Sequence, residues 1–149
     1  MAVHVPYRSV QRVYFDDLDA LNILHNVRYL LFMERARGEF FNELGFRWED
    51  DLTVNPDKFH VIAEHAIHYL TPFRGEGEVV VELTPTHLGR SSLKIAGEVK
   101  GLHGSTVYAH GETRLVRLDP KTNHSCAWSD RFRAQLTPLV RAPQPAPAT

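Results

Sequence analysis

The chain predicts an α+β domain in which an antiparallel sheet wraps one long central helix. Three observations carry that expectation. A single stretch, Val27 to Leu44, repeats apolar residues at helical spacing. Every other long segment alternates or is rich in β-branched and aromatic residues, which suit a pleated, half-buried surface. The order is one strand, the helix, then four strands, the last three separated by short turn signals, which favours helix-on-sheet packing.

Val5 to Phe15 alternates loosely, with Val5, Tyr7, Val10, Val13 and Phe15 among polar neighbours, and reads as the first strand. Asp16, Asp17 and Asp19 follow, and Asn22, His25 and Asn26 complete a loop of turn-forming and capping residues. His25 or Asn26 is expected as the helix N-cap. Leu30, Leu31, Met33, Phe40, Phe41 and Leu44 form the apolar stripe of the helix, Glu34, Arg35, Arg37 and Glu39 its polar positions, and Gly45 its stop.

Phe46 to Lys58 has no clear period and reads as a connecting loop or lid. Phe59 to Leu70 alternates as a strand that Pro72 ends, with Glu64 expected on the face of His60 and His68. Glu78 to His87, Ser91 to Lys100 and Ser105 to Leu118 are separated by glycine-containing turns, so an antiparallel meander is expected. Ser129 could cap a short helix through Leu136. The domain is expected to occupy residues 1–137, followed by a Pro/Ala-rich disordered tail at 138–149.

The 149 residues suffice for one domain with a real core. No apolar run is long enough to span a membrane, and a net charge of −1 lacks the basic excess of nucleic-acid binders. Cys126 is the only cysteine, so no internal disulfide can form, and no secretory signal is read at the start. A cytoplasmic protein is the expectation. His60, Glu64 and His68 are spaced about 13 Å apart along a strand at roughly 3.3 Å per residue, too far to share one metal ion.

The junction of strand and helix is the candidate site. A carboxylate aimed at a helix start lies beside unpaired N–H groups that attract negative charge, including charge developing on a reacting oxygen. By composition alone the aspartates read first as solvated turn residues, and His25 and Asn26 as simple caps, the commoner roles of these residue types.

The run Asp17-Leu18-Asp19-Ala20, then Asn26, Tyr29, Glu34, Arg37 and Leu44-Gly45, resembles the hotdog-fold thioesterases of the 4-hydroxybenzoyl-CoA type. Ile67 to Gly75, with Pro72, and Leu88 to Leu93 are similar to later segments of that family. The resemblance runs in order over residues 7 to 136. It implies a five- or six-stranded hotdog sheet around the helix, a homodimer or homotetramer with active sites at subunit interfaces, and hydrolysis of acyl-CoA thioesters, with acyl-carrier-protein thioesters as a variant. Asp19 matches the family's catalytic acid, as nucleophile or as general base for water. Asn26 and His25 join it through the helix start, where backbone N–H groups would hold the oxyanion. Arg90 and Ser91 are candidates for the CoA phosphates. No cofactor is expected beyond CoA as part of the substrate. Leu21-Asn22 departs from the family, which commonly has glycine in this loop. The fold would also suit a non-catalytic acyl- or CoA-binding module, or a dehydratase or isomerase acting on acyl thioesters.

Overall fold

The computed structural model describes residues 2–145. Five strands, β1 (Tyr7–Val13), β2 (His60–Tyr69), β3 (Gly77–Leu88), β4 (Ser92–Gly101) and β5 (Val107–Arg117), form one antiparallel sheet. Helix α1 (Asn26–Glu43) lies against its inner face, and the short helix α2 (Asp130–Leu136) closes one end. This is the α+β hotdog architecture.

The helix forms where its stripe requires it. Tyr29, Phe32, Met33, Ala36, Arg37, Phe40 and Phe41 are buried, a three-four alternation that turns one face to the sheet. Phe32, Ala36 and Phe40 meet Val79, Val81, Leu93, Val99 and Leu115 in the core. His25 caps the start through Nδ1, which accepts from the Val27 N–H at 3.3 Å. At the other end Gly45 sits at φ 88°, where its N–H reaches the Asn42 carbonyl and that of Phe46 the Phe41 carbonyl. That paired closure uses the left-handed region glycine enters without a Cβ penalty.

Three details add to or differ from the sequence reading. The strand order is β1-β3-β4-β5-β2: β3, β4 and β5 form the expected meander, and β2, whose neighbour the sequence left open, crosses over to the far edge and pairs with β5. Alternation along β2 cannot report its neighbour. Second, a register shift between Ile62 and Glu64 breaks the period of two. His60 therefore packs inward against Phe41, Trp48 and Trp128, whereas His68 stacks on His110 and Glu64 pairs with Arg114, both on the outer face. Third, Arg37 belongs to the buried stripe and not to the polar face, and it pairs with Glu34 one turn earlier at 2.9 Å. A long charged side chain can cover apolar surface while its head finds a partner.

The 46–59 connection is pinned. Asn55 donates to the Arg47 carbonyl, Lys58 to the Trp48 carbonyl, and the buried Asp57 accepts from both the backbone and hydroxyl of Ser129, the cap of α2. Past residue 137 the chain continues as a 3-10 turn (Thr137–Leu139), Leu139 packs on the core, and the Arg141 N–H donates to the Pro85 carbonyl. Residues 142–145 run along the outer face of the sheet, and the rest of the expected tail, 146–149, lies outside the described residues.

Candidate active site

The segment between β1 and α1 is fixed at several points before any side chain meets a ligand. Phe15–Asp17 makes one 3-10 turn, and the Asp17 carboxylate, 7% exposed, accepts from the Tyr14 N–H at 2.9 Å and lies 3.4 Å from Arg28 Nε. The Asp17 carbonyl takes the His25 N–H at 2.9 Å. Asp17 is thus a structural brace, tying the loop's entry to the helix start.

Asp19 begins a compact turn. Its N–H donates to the Ile23 carbonyl at 2.9 Å, and its Oδ1 accepts from the Leu21 N–H at 2.8 Å and the Ile23 N–H at 3.4 Å. Oδ2 has no hydrogen-bond partner among the described residues. Asn22 sits at φ 60°, the left-handed region in which asparagine is the best tolerated non-glycine residue. The departure from glycine at Leu21-Asn22 therefore preserves the turn. The Gly75 N–H donates to the Asn22 carbonyl and the Leu24 N–H to the Phe73 carbonyl, so the segment after β2 holds the loop from the other side.

Asp19 and Asn26 line one cleft of about 280 Å³ with Ile23, Leu24, Tyr29, Tyr69 and Leu70. Asn26 is the first residue of α1, and its N–H makes no hydrogen bond among the described residues. The neighbouring donors are occupied: Leu24 by Phe73, His25 by Asp17, Val27 by the His25 imidazole and Arg28 by the His25 carbonyl. One free donor at a helix start, beside a half-satisfied carboxylate, is an arrangement that can stabilise a developing oxyanion.

Asp19 and Asn26 are therefore brought together. His25 is adjacent, but its side chain is exposed and engaged in capping. Arg90 and Ser91 are elsewhere in the chain. The Arg90 carbonyl accepts from the Trp128 N–H and from Arg133, and the Ser91 carbonyl from the Arg117 N–H. Trp128 and Phe132 stack on each other, and Phe132 packs on Phe41 at the C-terminal end of α1. Those contacts place Arg90 and Ser91 at the end of the helix opposite Asp19, and 18 residues of helix span roughly 27 Å.

The sequence reading did not single out Tyr69. Its hydroxyl donates to the Asn26 carbonyl at 2.8 Å and its ring meets Tyr29 edge-on at 5.2 Å. The only signal was an aromatic closing a strand three residues before Pro72. Burial pushes both phenols above their usual pKa, so they are neutral donors at physiological pH. Among the described residues no group of three or more His, Cys, Asp or Glu is placed to hold a metal ion.

Residues 21–108 match the sequence model of the thioesterase superfamily. The chain belongs to that superfamily. It is 35% identical over 106 residues to the acyl-CoA thioesterase YbgC of Haemophilus influenzae, a match spanning 71% of this chain and 65% of that protein. Among solved structures, the PA2801 protein of Pseudomonas aeruginosa is similar at 27% identity and a TM-score of 0.75, covering 90% of this chain and 98% of that one. A thioesterase of Thermus thermophilus, complexed with coenzyme A and Zn, is similar at 28% identity and a TM-score of 0.74, covering 91% and 95%.

Proposed function

We propose that this member of the thioesterase superfamily hydrolyses acyl-CoA thioesters, with the Asp19 carboxylate as nucleophile or general base and the Asn26 N–H as oxyanion donor. The observation carrying this reading is the single cleft that combines a carboxylate with an unused oxygen, a free N–H at a helix start and an apolar wall. With Asp19 as nucleophile, Oδ2 bonds to the thioester carbon, the carbonyl oxygen takes the negative charge against the Asn26 N–H, and collapse expels the CoA thiolate. Water then cleaves the resulting anhydride. With Asp19 as base, it takes the proton of a water that attacks the same carbon, and the thiolate again leaves. Both routes need the same geometry. The likeness to YbgC and to the CoA-bound thioesterase supports CoA as the thiol half of the substrate.

The same reading includes a homodimer, or a tetramer built from it, joined along β2. That strand is a sheet edge, Val61 and Tyr69 on it are 44% and 46% exposed, and the cleft opens beside it. Arg90 and Ser91 lie too far from Asp19 to serve the cleft of their own chain. As ligands for the CoA phosphates they would act on a partner's cleft across the interface. A cytoplasmic setting completes the reading, one to which a lone unpaired Cys126 is suited. The test is thiol release from a series of acyl-CoA esters, run with light scattering on the same sample. Turnover by a dimer or tetramer is expected, and CoA binding without thiol release would refute hydrolysis.

A further inference from the structure

We propose that Tyr69 is the residue that sets the size limit of the acyl group, and that the cleft takes a compact acyl chain; the inference rests on the hydrolase reading above. The cleft's own lining identifies which half of the substrate enters it. Beyond Asp19 and Asn26 its walls are Ile23, Leu24, Leu70, Thr71, Pro72 and the two tyrosines, without a cationic side chain to meet phosphates. The acyl group therefore enters the cleft and the nucleotide stays outside.

Room is limited. A cavity of roughly 150 Å³ suffices for benzene. The 280 Å³ here must accept the thioester itself as well as the acyl group, which leaves space for a short aliphatic or single-ring acyl group. Tyr29 is 3% exposed and continuous with the core, so it cannot yield without disturbing α1. Tyr69 is the adjustable wall. It stands on the edge strand, half exposed, yet its ring is held at two points, by the hydroxyl on the Asn26 carbonyl and by edge-on contact with Tyr29. A ring fixed in this way acts as a stop. The anchoring carbonyl belongs to the same residue as the free N–H, so the stop is registered to the reacting carbon.

The test compares wild type with Tyr69→Ala, which shortens the wall, and Tyr69→Trp, which extends it. Two readouts are taken: kcat/KM for butanoyl- and decanoyl-CoA, and Kd for the S-butyl and S-decyl thioethers of CoA, which cannot be hydrolysed. A pocket difference of one or two methylenes alters discrimination by about 10-fold or more. The decanoyl-to-butanoyl ratio is expected to rise at least ~10-fold in Tyr69→Ala and to fall in Tyr69→Trp, with the thioether affinities moving in the same directions. Unchanged ratios in both variants would overturn the assignment of Tyr69. Failure of the hydrolase reading gives a different pattern, in which no thiol is released by any form while the thioether affinities still shift.

Discussion

Replacing Asn26 by proline removes the N–H from the proposed oxyanion site, together with a side-chain amide that a second variant can control for. Asn26 is the first helical residue, a position where proline is favoured because its fixed φ suits the helix and its missing N–H has no intrahelical partner. The preceding residue, His25, already has φ −62° and ψ 135°, the extended conformation that proline imposes on its neighbour. The Asn26 carbonyl is retained, and with it the hydrogen bond from Tyr69. Stability should therefore change by less than about 0.5 kcal/mol, the range of a surface substitution away from special features. Loss of one oxyanion donor costs about 10²–10³ in kcat, equivalent to about 2.7–4 kcal/mol of transition-state stabilisation. Asn26→Ala is the control, since it deletes the side chain and keeps the N–H. In a thiol-release assay Asn26→Pro should fall about 10²-fold or more below Asn26→Ala while melting alike. Equal turnover in the two variants would refute the role of this N–H.

Gly111→Ala should separate β2 from β5, because an added Cβ would collide with the Ala66 carbonyl oxygen. Moving that contact out to about 3.3 Å stretches neighbouring ladder bonds, at about 1–3 kcal/mol, and denaturant midpoints should show the loss. Asp57→Ala should cost about 2 kcal/mol or more, since the cap of α2 loses both its bonds to that carboxylate; an unchanged midpoint would contradict the brace. Burial holds the His60 imidazole below its ordinary pKa of 6.5, and desolvation acts in the same direction on His65 and His110. Well above that value the imidazoles are neutral in folded and unfolded chains alike. As pH falls through 6.5, the unfolded chain takes up protons that the folded chain resists, so stability should decline as the solution is acidified from neutral through that value. His60→Phe should flatten the decline, and a parallel slope would remove His60 from its cause.

Much of this fold was legible because its periods are undisturbed. The His25 cap and the Gly45 stop each carry a local chemical signature and are where the sequence put them, whereas the α1 stripe lies off the axis of the sequence reading in its first turns: Leu30 and Leu31 are only partly buried, and Tyr29, Phe32 and Ala36 take the inner face. The position of β2 was not legible, because strand order is decided by which edge the crossover reaches, and alternation is the same on either side. Glu64 and His68 do share a face, but the sequence reading wrongly groups His60 with them, because one extra residue near Ala63 reverses the alternation between the two halves of the strand, without any glycine or proline to mark the bulge. Arg37 looked polar by type, yet its position one turn after Met33 and beside Ala36 assigns it to the buried face. In the site, the strand-loop-helix junction marks the segment, but only the resemblance to the thioesterase family separates Asp19 from Asp16 and Asp17, and Asn26 joins it as the helix start. Tyr69 could not be named, since its role comes from a contact 43 residues away in sequence. The separation of Arg90 from Asp19 likewise appears only once the helix is laid between them.

The central claim is that Asp19 performs the chemistry of thioester cleavage. The most direct measurement is kcat/KM of Asp19→Asn on the best acyl-CoA substrate, with folding and oligomeric state checked on the same preparation. The amide keeps the shape of the carboxylate and an oxygen able to accept from the Leu21 N–H, so the loop should persist. It supplies neither a competent nucleophile nor a base. A positioned acid-base group contributes about 10²–10⁴ in rate, so activity should drop by at least about 10²-fold. Turnover within a few-fold of wild type in a correctly folded Asp19→Asn protein would contradict the account.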